Sequence, residues 1–161
     1  MNALTVREPW ASLIANGVKQ IETRHWYPPR HIVGQRIAIH ASKGLSEGEI
    51  GWFLETPAAY DALTEVMWCG GGSVATAFPA TRGRVLATAT LTDVLIFTHI
   101  NVSKIIAEFG ASIDELQFGD FSAGRYGWML TDVQPLPEPI PARGQQGLWE
   151  WQEPDELRGA A

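Results

Sequence analysis

The chain has 161 residues, 45% of them hydrophobic and 19% charged, and this predicts a single domain over 1–161 with its core at about 3–152 and a tail at 153–161. Its net charge of −6 argues against indiscriminate attraction to nucleic acid, and the lack of any apolar run near ~20 residues excludes membrane-spanning helices. A lone cysteine, Cys69, and a start unlike a signal peptide lead us to expect a cytoplasmic protein.

The first third of the sequence predicts a helix that leads directly into a charged strand. Pro9 suits a first helical turn and Gly17 suits a left-handed cap, and the apolar residues between them share one face. These features predict a helix at 9–16. Residues 18–24 then alternate as a strand does, until a Pro-Pro pair ends the pattern.

A second strand and a capped helix follow. Residues 36–41 alternate again and place Lys43 at the mouth of a strand. Ser46 and Glu49 have the spacing of a capping box in front of an apolar run. We therefore predict a helix at 46–55.

The central part of the chain predicts a further helix, a loop, a strand and another helix. A short helix is expected near 59–68. The segment 69–83 is rich in glycine and poor in charge, so it is predicted to be a mobile loop that could act as a lid. Residues 85–95 alternate in Val, Leu and Thr and should form a central strand, and Ser103 can cap a helix that runs to Phe109.

The C-terminal part predicts turns and strands. Ser112 and Glu115 offer a second capping box, and the turn-rich segment 119–124 is followed at once by Arg125. Strands or extended chain are expected at 126–133, 135–141 and 147–151. Together the elements predict an α+β fold, a small β-barrel or strongly curved sheet of five or six short strands flanked by three or four helices.

The charges are unevenly distributed along the sequence. Residues 1–43 carry six basic and two acidic side chains, whereas the remainder carries six basic and sixteen acidic ones. Such a division favours one focused anion site on an acidic body, with chance clustering as the alternative.

The densest chemistry lies in 17–24, where Lys19, Glu22 and Arg24 follow the first helix. Buried charges are costly unless paired, so these three either form a structural network or line a polar cleft that a ligand completes. In a cleft, Lys19 could donate to phosphate or act as a base, Arg24 could fork onto phosphate or a base edge, and Glu22 could accept from an exocyclic amine.

Other candidate ligand contacts are aromatic or basic. Trp10 and Trp26 bracket the charged segment, and either could be a stacking surface for a base or part of the core. Arg125 follows a glycine-containing turn that would let a phosphate approach. The histidines are scattered and there is no metal-ligand spacing, so we predict no metal site.

The segment Gly17-x-Lys19-x-x-Glu22-x-Arg24 matches the GxKxxExR signature, and the chain resembles the activating signal cointegrator homology (ASCH) domain family. The opening Leu4–Leu13 is similar to the family's "QPWASL" helix start, with Glu8 where Gln is usual, and later strands are similar too. The resemblance implies a PUA-like barrel with a cationic cleft that binds single-stranded RNA or a nucleotide, with DNA as an alternative. The residues that we predict to contact this ligand are Arg7, Trp10, Ser12, Lys19, Glu22, Arg24, Trp26, Lys43 and Arg125.

The resemblance also implies an enzymatic alternative, because some members hydrolyse acetylated cytidine and others are associated with RNA cleavage. Amidohydrolase members have a threonine where this chain has Glu22, and the neighbouring Thr23 should point to the other strand face. A catalytic set of Lys19 and Glu22, with Lys43 and Ser122 if the fold brings them together, is the remaining hypothesis. No cofactor is predicted, although a ribonuclease could use a weakly held divalent metal. A third hypothesis is a protein-interaction domain.

Overall fold

The computed structural model describes residues 1–68, 78, 80–98 and 102–155. Within these ranges, short 3-10 turns lie at Arg30–Ile32 and Ile113–Gln117, and none of the helices is long and apolar enough to cross a membrane. The α-helices are α1 (Trp10–Ala15), α2 (Glu47–Glu55), α3 (Pro57–Trp68) and α4 (Val102–Glu108).

The described strands form one mixed sheet, which curls into a half-barrel in the order β2-β5-β4-β3-β1-β6. This arrangement confirms the predicted α+β class. The strands are β1 (Asn2–Val6), β2 (Ile21–Arg24), β3 (Arg36–Ala41), β4 (Arg84–Ile96), β5 (Tyr126–Pro141) and β6 (Leu148–Glu150). The expectation of short strands is wrong for β4 and β5, which have 13 and 16 residues.

Strand β1 is the one that the sequence did not predict. It pairs in parallel with β3, with Leu4 opposite Ile39, and antiparallel with β6, with Leu4 opposite Leu148. Its two faces are both buried, because Leu4 packs in the main core and Ala3 packs with Trp149 on the other side. A short strand buried on both faces lacks the polar alternation by which strands are recognised.

Strand β5 contains the proline run that we predicted to be extended. Its first residues pair with both β2 and β4, whereas the proline-rich half pairs with β4 alone, where Pro135 lies opposite Ala87. Proline is tolerated there because the missing N–H would face outward from a strand edge. Register shifts in β4 accommodate the irregular half.

The core has a main part between α1 and the sheet, where Ile14 packs with Leu91 and Trp128. A second part lies under α2 and α3, where Phe53 meets Phe78 with ring centroids 5.3 Å apart. The two parts hold α1 between sheet and helices. That position fixes the start of α1 at the mouth of the half-barrel.

Several local predictions were inaccurate for identifiable reasons. The strand predicted at 18–24 begins at Ile21, because the N–H groups of Val18 and Lys19 both donate to Leu13 O and so close α1. Helix α4 begins at Val102, which places Ser103 inside its first turn. The capping box at Ser46 and Glu49, by contrast, is confirmed.

The predicted loop at 69–83 lies mostly outside the described residues, as does most of the tail at 153–161. In the described part of the loop, Phe78 is buried in the core and the hydroxyl of Thr81 donates to Glu8.

Candidate functional site

A cleft opens at the junction between the start of α1 and strand β2. Its cavity measures about 450 Å³, within the range of small-ligand sites. Walls come from the end of β1, from α1, β2 and α2, and from the segment before β5. The lining residues are Thr5, Val6, Arg7, Trp10, Glu22, Thr23, Arg24, Glu49, Trp52, Gln117, Gly119, Asp120 and Arg125.

One wall of the cleft is aromatic. Trp10 is the first residue of α1 and Trp52 lies in α2. Their ring centroids are 4.8 Å apart and the planes are inclined by 36°, and both residues are partly exposed. Half-buried indole rings of this kind supply stacking surface for a planar ligand.

The polar walls consist of paired charges. Arg7 Nη1 lies 3.0 Å from Glu49 Oε1, and Arg24 Nε lies 3.0 Å from Glu22 Oε1. Arg125 Nε lies 3.3 Å from Oδ2 of Asp120 and donates to the carbonyl oxygen of that residue at 3.1 Å. Among its described lining residues the cleft therefore holds as many carboxylates as guanidinium groups, in place of the cationic surface that the sequence suggested.

Two of these pairs leave hydrogen-bonding capacity unused. Arg24 Nε and Glu49 Oε1 are buried and make no hydrogen bond of good geometry, despite the short distances to their charged neighbours. Arg24 is held in place instead by Nη2, which donates to Thr5 O at 2.8 Å. Unsatisfied buried polar atoms are uncommon, and here each of the two atoms is stabilised by the opposite charge beside it.

Behind the cleft, the signature lysine belongs to a buried charge network. Lys19 is 1% exposed, its ammonium donates to Ile21 O, and its Nζ lies 3.6 Å from Glu22 Oε2 and 3.8 Å from Glu115 Oε1. Glu115 also accepts from the backbone N–H groups of Gln20 and Ile21, at 2.8 and 2.9 Å. Negative and positive groups thus alternate from the interior to the cleft wall.

Glu115 corrects the capping prediction for this segment. The hydroxyl of Ser112 accepts from Asp114 N, while the Glu115 carboxylate turns away toward β2. Burial raises the pKa of Glu115, and the nearby Lys19 charge and the two N–H donors oppose that rise. The carboxylate ties the 3-10 turn at Ile113–Gln117 to the signature strand.

The structure brings five of the predicted ligand residues to the cleft and leaves four outside its lining. Ser12 is buried and donates to Glu8, and Trp26 packs edge-on against Trp128 at 4.7 Å. Lys19 lies behind the wall as described, and Lys43 lines a different pocket. The five in the cleft are Arg7, Trp10, Glu22, Arg24 and Arg125.

The four residues of the conditional catalytic set do not meet in one of the two described pockets. Glu22 lines the cleft, Lys43 lines the second pocket, and Lys19 and Ser122 line neither. Ser122 is exposed, and its N–H donates to Asp120 Oδ1 at 3.0 Å. Of the proposed acid–base partners, Glu22 is the one that could reach a ligand in the cleft.

Glu8, which lies just before α1, is completely buried. It accepts from Ser12 N at 3.0 Å and from the hydroxyls of Ser12 and Thr81. Burial raises the pKa of this carboxyl group against the lowering effect of its donors. Its position under α1 makes it a structural anchor for the helix that carries Trp10.

The second pocket lies on the other side of Thr5 and measures about 430 Å³. In its wall, His40 Nε2 donates to Ala142 O at 3.2 Å, and therefore Nδ1 accepts from the Thr5 hydroxyl at 3.2 Å. Burial lowers the pKa of His40, so the ring is neutral at neutral pH. The pocket is lined by Thr5, His40, Ser42, Lys43, Arg143, Gly144, Gln145 and Gln146.

Sequence reasoning missed several residues of the cleft. Trp52 and Glu49 were recognised only as parts of a helix, although their three-residue spacing places them on one face. Thr23 was expected to point away, yet it lines the cleft and its hydroxyl accepts from Asp120 N at 3.1 Å. It does so because the segment before β5 folds over the free edge of β2, and Gly119 allows this close approach.

The described part of the chain contains no preformed metal-binding site. No three His, Cys, Asp or Glu side chains are grouped there in a way that could hold an ion.

Comparisons of the sequence and of the structure with known proteins both match ASCH domains. The family model for the ASCH domain matches residues 4–120. Three crystal structures of an ASCH protein from Zymomonas mobilis, one without a stated substitution and two of mutants (serine to alanine, tyrosine to phenylalanine), are similar at a TM-score of 0.52 and 19% identity. The alignments cover 98% of this chain and 90%, 91% and 93% of those chains. No curated protein matches the sequence.

Proposed function

The chain belongs to the ASCH domain family, and from this premise we propose that its cleft binds a nucleotide, either free or as one unit of single-stranded RNA. The fold is the PUA-like half-barrel with flanking helices that the solved ASCH structures share. Family membership suggests that the ligand is a nucleotide or RNA, and the side chains of the cleft suggest which groups would contact it.

The observation that carries the proposal is the combination, in one cavity, of the Trp10–Trp52 wall and three arginine–carboxylate pairs. A nucleobase presents a flat face for stacking and an edge of donors and acceptors. Stacking on an aromatic side chain contributes about 1–3 kcal/mol per base. Guanidinium and carboxylate groups then match the acceptors and donors of the base edge.

The balance of charge in the cleft favours recognition of a base over recognition of phosphate there. Each lining arginine has a carboxylate within 3.0–3.3 Å, which offsets its attraction for a second anion. If the protein contacts phosphates outside the cleft, added salt should still weaken binding. A plot of log affinity against log salt concentration would then have a slope of about −0.7 per phosphate contact.

The test measures binding of a labelled single-stranded RNA, and of DNA of the same sequence, to the protein and two cleft variants. Arg7→Ala removes a side chain that is 68% exposed, so the fold should survive, and Trp52→Leu keeps bulk without the aromatic face. Each should weaken binding about tenfold, since a charged hydrogen bond contributes ~1.5–3 kcal/mol and a stacked base ~1–3 kcal/mol. Arg30→Ala is the matched control, because Arg30 is exposed and lines neither described pocket.

If all three variants bind RNA and DNA with the affinity of the unaltered protein, the nucleic-acid site does not lie in this cleft. Binding of a protein partner without any RNA or DNA binding would favour an interaction domain.

Hydrolysis is the second candidate, and Glu22 supports it, since this carboxylate lies at the cleft wall with the buried Lys19 ammonium 3.6 Å behind it. Such a carboxylate can serve as a general acid or base for a bound substrate. Product from RNA or acetylated cytidine should be recorded alongside binding, with and without divalent metal and chelator. Turnover that disappears in Glu22→Gln would establish an enzyme, and binding without product would leave a recognition domain.

A further inference from the structure

The second pocket adjoins the cleft through Thr5, which lines both cavities. On the cleft side the carbonyl oxygen of Thr5 accepts from Arg24 Nη2 at 2.8 Å. Its hydroxyl accepts from Trp149 Nε1 at 3.0 Å and bonds with His40 Nδ1. Thr5 is thus fixed by contacts on both sides, and it is the residue that the described linings of the two cavities share.

The second pocket differs from the cleft in its charge. Its described lining contains Lys43 and Arg143 and no carboxylate. Neither cation forms an ion pair with any acidic group in the described part of the chain, whereas all three arginines of the cleft do. Two unneutralised cations on an acidic protein mark a place where an anion is favoured.

Backbone donors are also free at this place. The N–H groups of Gly144, Gln145 and Gln146 make no hydrogen bond within the described residues. Gly144 lies so close to the His40 ring that an added Cβ would be 2.2 Å from Cε1, which fixes the course of this loop. Successive unsatisfied N–H groups beside cations are the donors that phosphate oxygens accept from.

The two cations reach the pocket from different parts of the fold. Lys43 follows β3, and its stem lies over Gly83, where an added Cβ would be 2.9 Å from Lys43 Cγ. Arg143 lies beyond β5. His40 lines the pocket with both of its ring nitrogens engaged, one by Thr5 and the other by Ala142.

We propose that this pocket is a phosphate subsite, which holds a phosphate of the nucleotide whose base occupies the cleft. The inference rests on the proposed function and assigns the ligand as a phosphorylated nucleotide or a strand, not an uncharged nucleoside. Arg143 and residues 144–146 then become parts of the binding surface that the signature does not include.

The test is a calorimetric comparison of cytidine, its 5′- and 3′-monophosphates, a trinucleotide and inorganic phosphate. The unaltered protein should bind a phosphorylated probe more tightly than cytidine. Lys43→Met and Arg143→Met should each reduce that advantage about tenfold, the loss expected for a charged hydrogen bond, and leave cytidine binding unchanged. Arg30→Met is the control, and thermal unfolding checks that every variant is folded.

The outcomes separate this subsite from the cleft. A gain seen with a monophosphate indicates a free nucleotide, and a gain seen only with the trinucleotide indicates a phosphodiester in a strand. If cytidine binds and phosphate adds nothing, or if both methionine variants keep the full advantage, the subsite is refuted and the cleft stands. If phosphorylated probes depend on Lys43 while cytidine does not bind and Trp52→Leu has no effect, the cleft fails and the subsite stands. If no probe binds, both are refuted.

Discussion

Replacing Glu115 with alanine is the sharpest test of the buried network. The carboxylate accepts from the backbone N–H groups of Gln20 and Ile21 and lies 3.8 Å from the Lys19 ammonium. After Glu115→Ala, the buried N–H group of Ile21 and the partly buried N–H group of Gln20 lose their acceptor. Lys19 keeps Glu22 at 3.6 Å and the Ile21 carbonyl.

The size of the effect follows from these contacts. Each buried donor left without an acceptor costs about 1–3 kcal/mol, and removing one partner of a buried ion pair costs about 3–5 kcal/mol. The two estimates overlap, because a single carboxylate provides all of these contacts. We therefore expect the free energy of unfolding to fall by about 3–5 kcal/mol, a large share of the ~5–15 kcal/mol typical of a domain.

The assay is equilibrium unfolding in urea, followed by tryptophan fluorescence and circular dichroism. The midpoint should shift with an unchanged slope, because the surface exposed on unfolding stays the same. Glu138→Ala is the control, since Glu138 is an exposed glutamate in β5. A loss below about 1 kcal/mol, in the range of surface substitutions, would falsify the view that the signature lysine is structurally paired.

Four further predictions follow from single contacts. Burial raises the pKa of Glu8 above its usual 4.5, so the stability that its neutral form contributes is present below about pH 4.5 and is lost as pH rises through the folded pKa. Glu8→Gln should therefore become more stable relative to the unaltered protein as pH rises through the folded pKa. A constant difference in unfolding free energy from pH 4 to 8 would contradict this. Gly144→Ala should lower the melting temperature, because its Cβ would meet the His40 ring at 2.2 Å, whereas Gly44→Ala, with nothing within 4 Å, should not. Ser46→Ala removes a capping box and should cost about 1 kcal/mol in urea unfolding, with no loss if α2 is held by packing alone. Arg24→Ala should weaken RNA binding about tenfold in anisotropy titrations, and unchanged affinity of the folded variant would exclude this arginine from the site.

Helix α2 shows how far local sequence goes. Ser46 and Glu49 form the predicted capping box because both partners lie within one turn of chain. The same spacing at Ser112 and Glu115 did not form a box, because the Glu115 carboxylate accepts from the N–H groups of Gln20 and Ile21, 95 and 94 residues away along the chain. Local patterns decide an element only where no distant partner competes for the side chain.

The cleft also combines features that the local sequence indicated with features that depend on distant contacts. The GxKxxExR spacing indicated the family and directed attention to Arg24 and Glu22, which the structure places in the cleft wall. It did not indicate that Lys19 turns inward, because Glu115, which neutralises it together with Glu22, comes from a different part of the chain. The pairing of Trp10 with Trp52 likewise depends on how α1 and α2 pack.

The sequence by itself determined the fold class, most of the helices and strands, and the segment on which the site is built, because periodicity, caps and signature spacing are properties of neighbouring residues. The tertiary structure decided which charged side chains line a pocket and which form ion pairs within the protein. It also brought Lys43 and Arg143, about a hundred residues apart in the sequence, to one pocket. Electrostatic contacts depend on distance and burial in space, and a linear order of residues specifies neither.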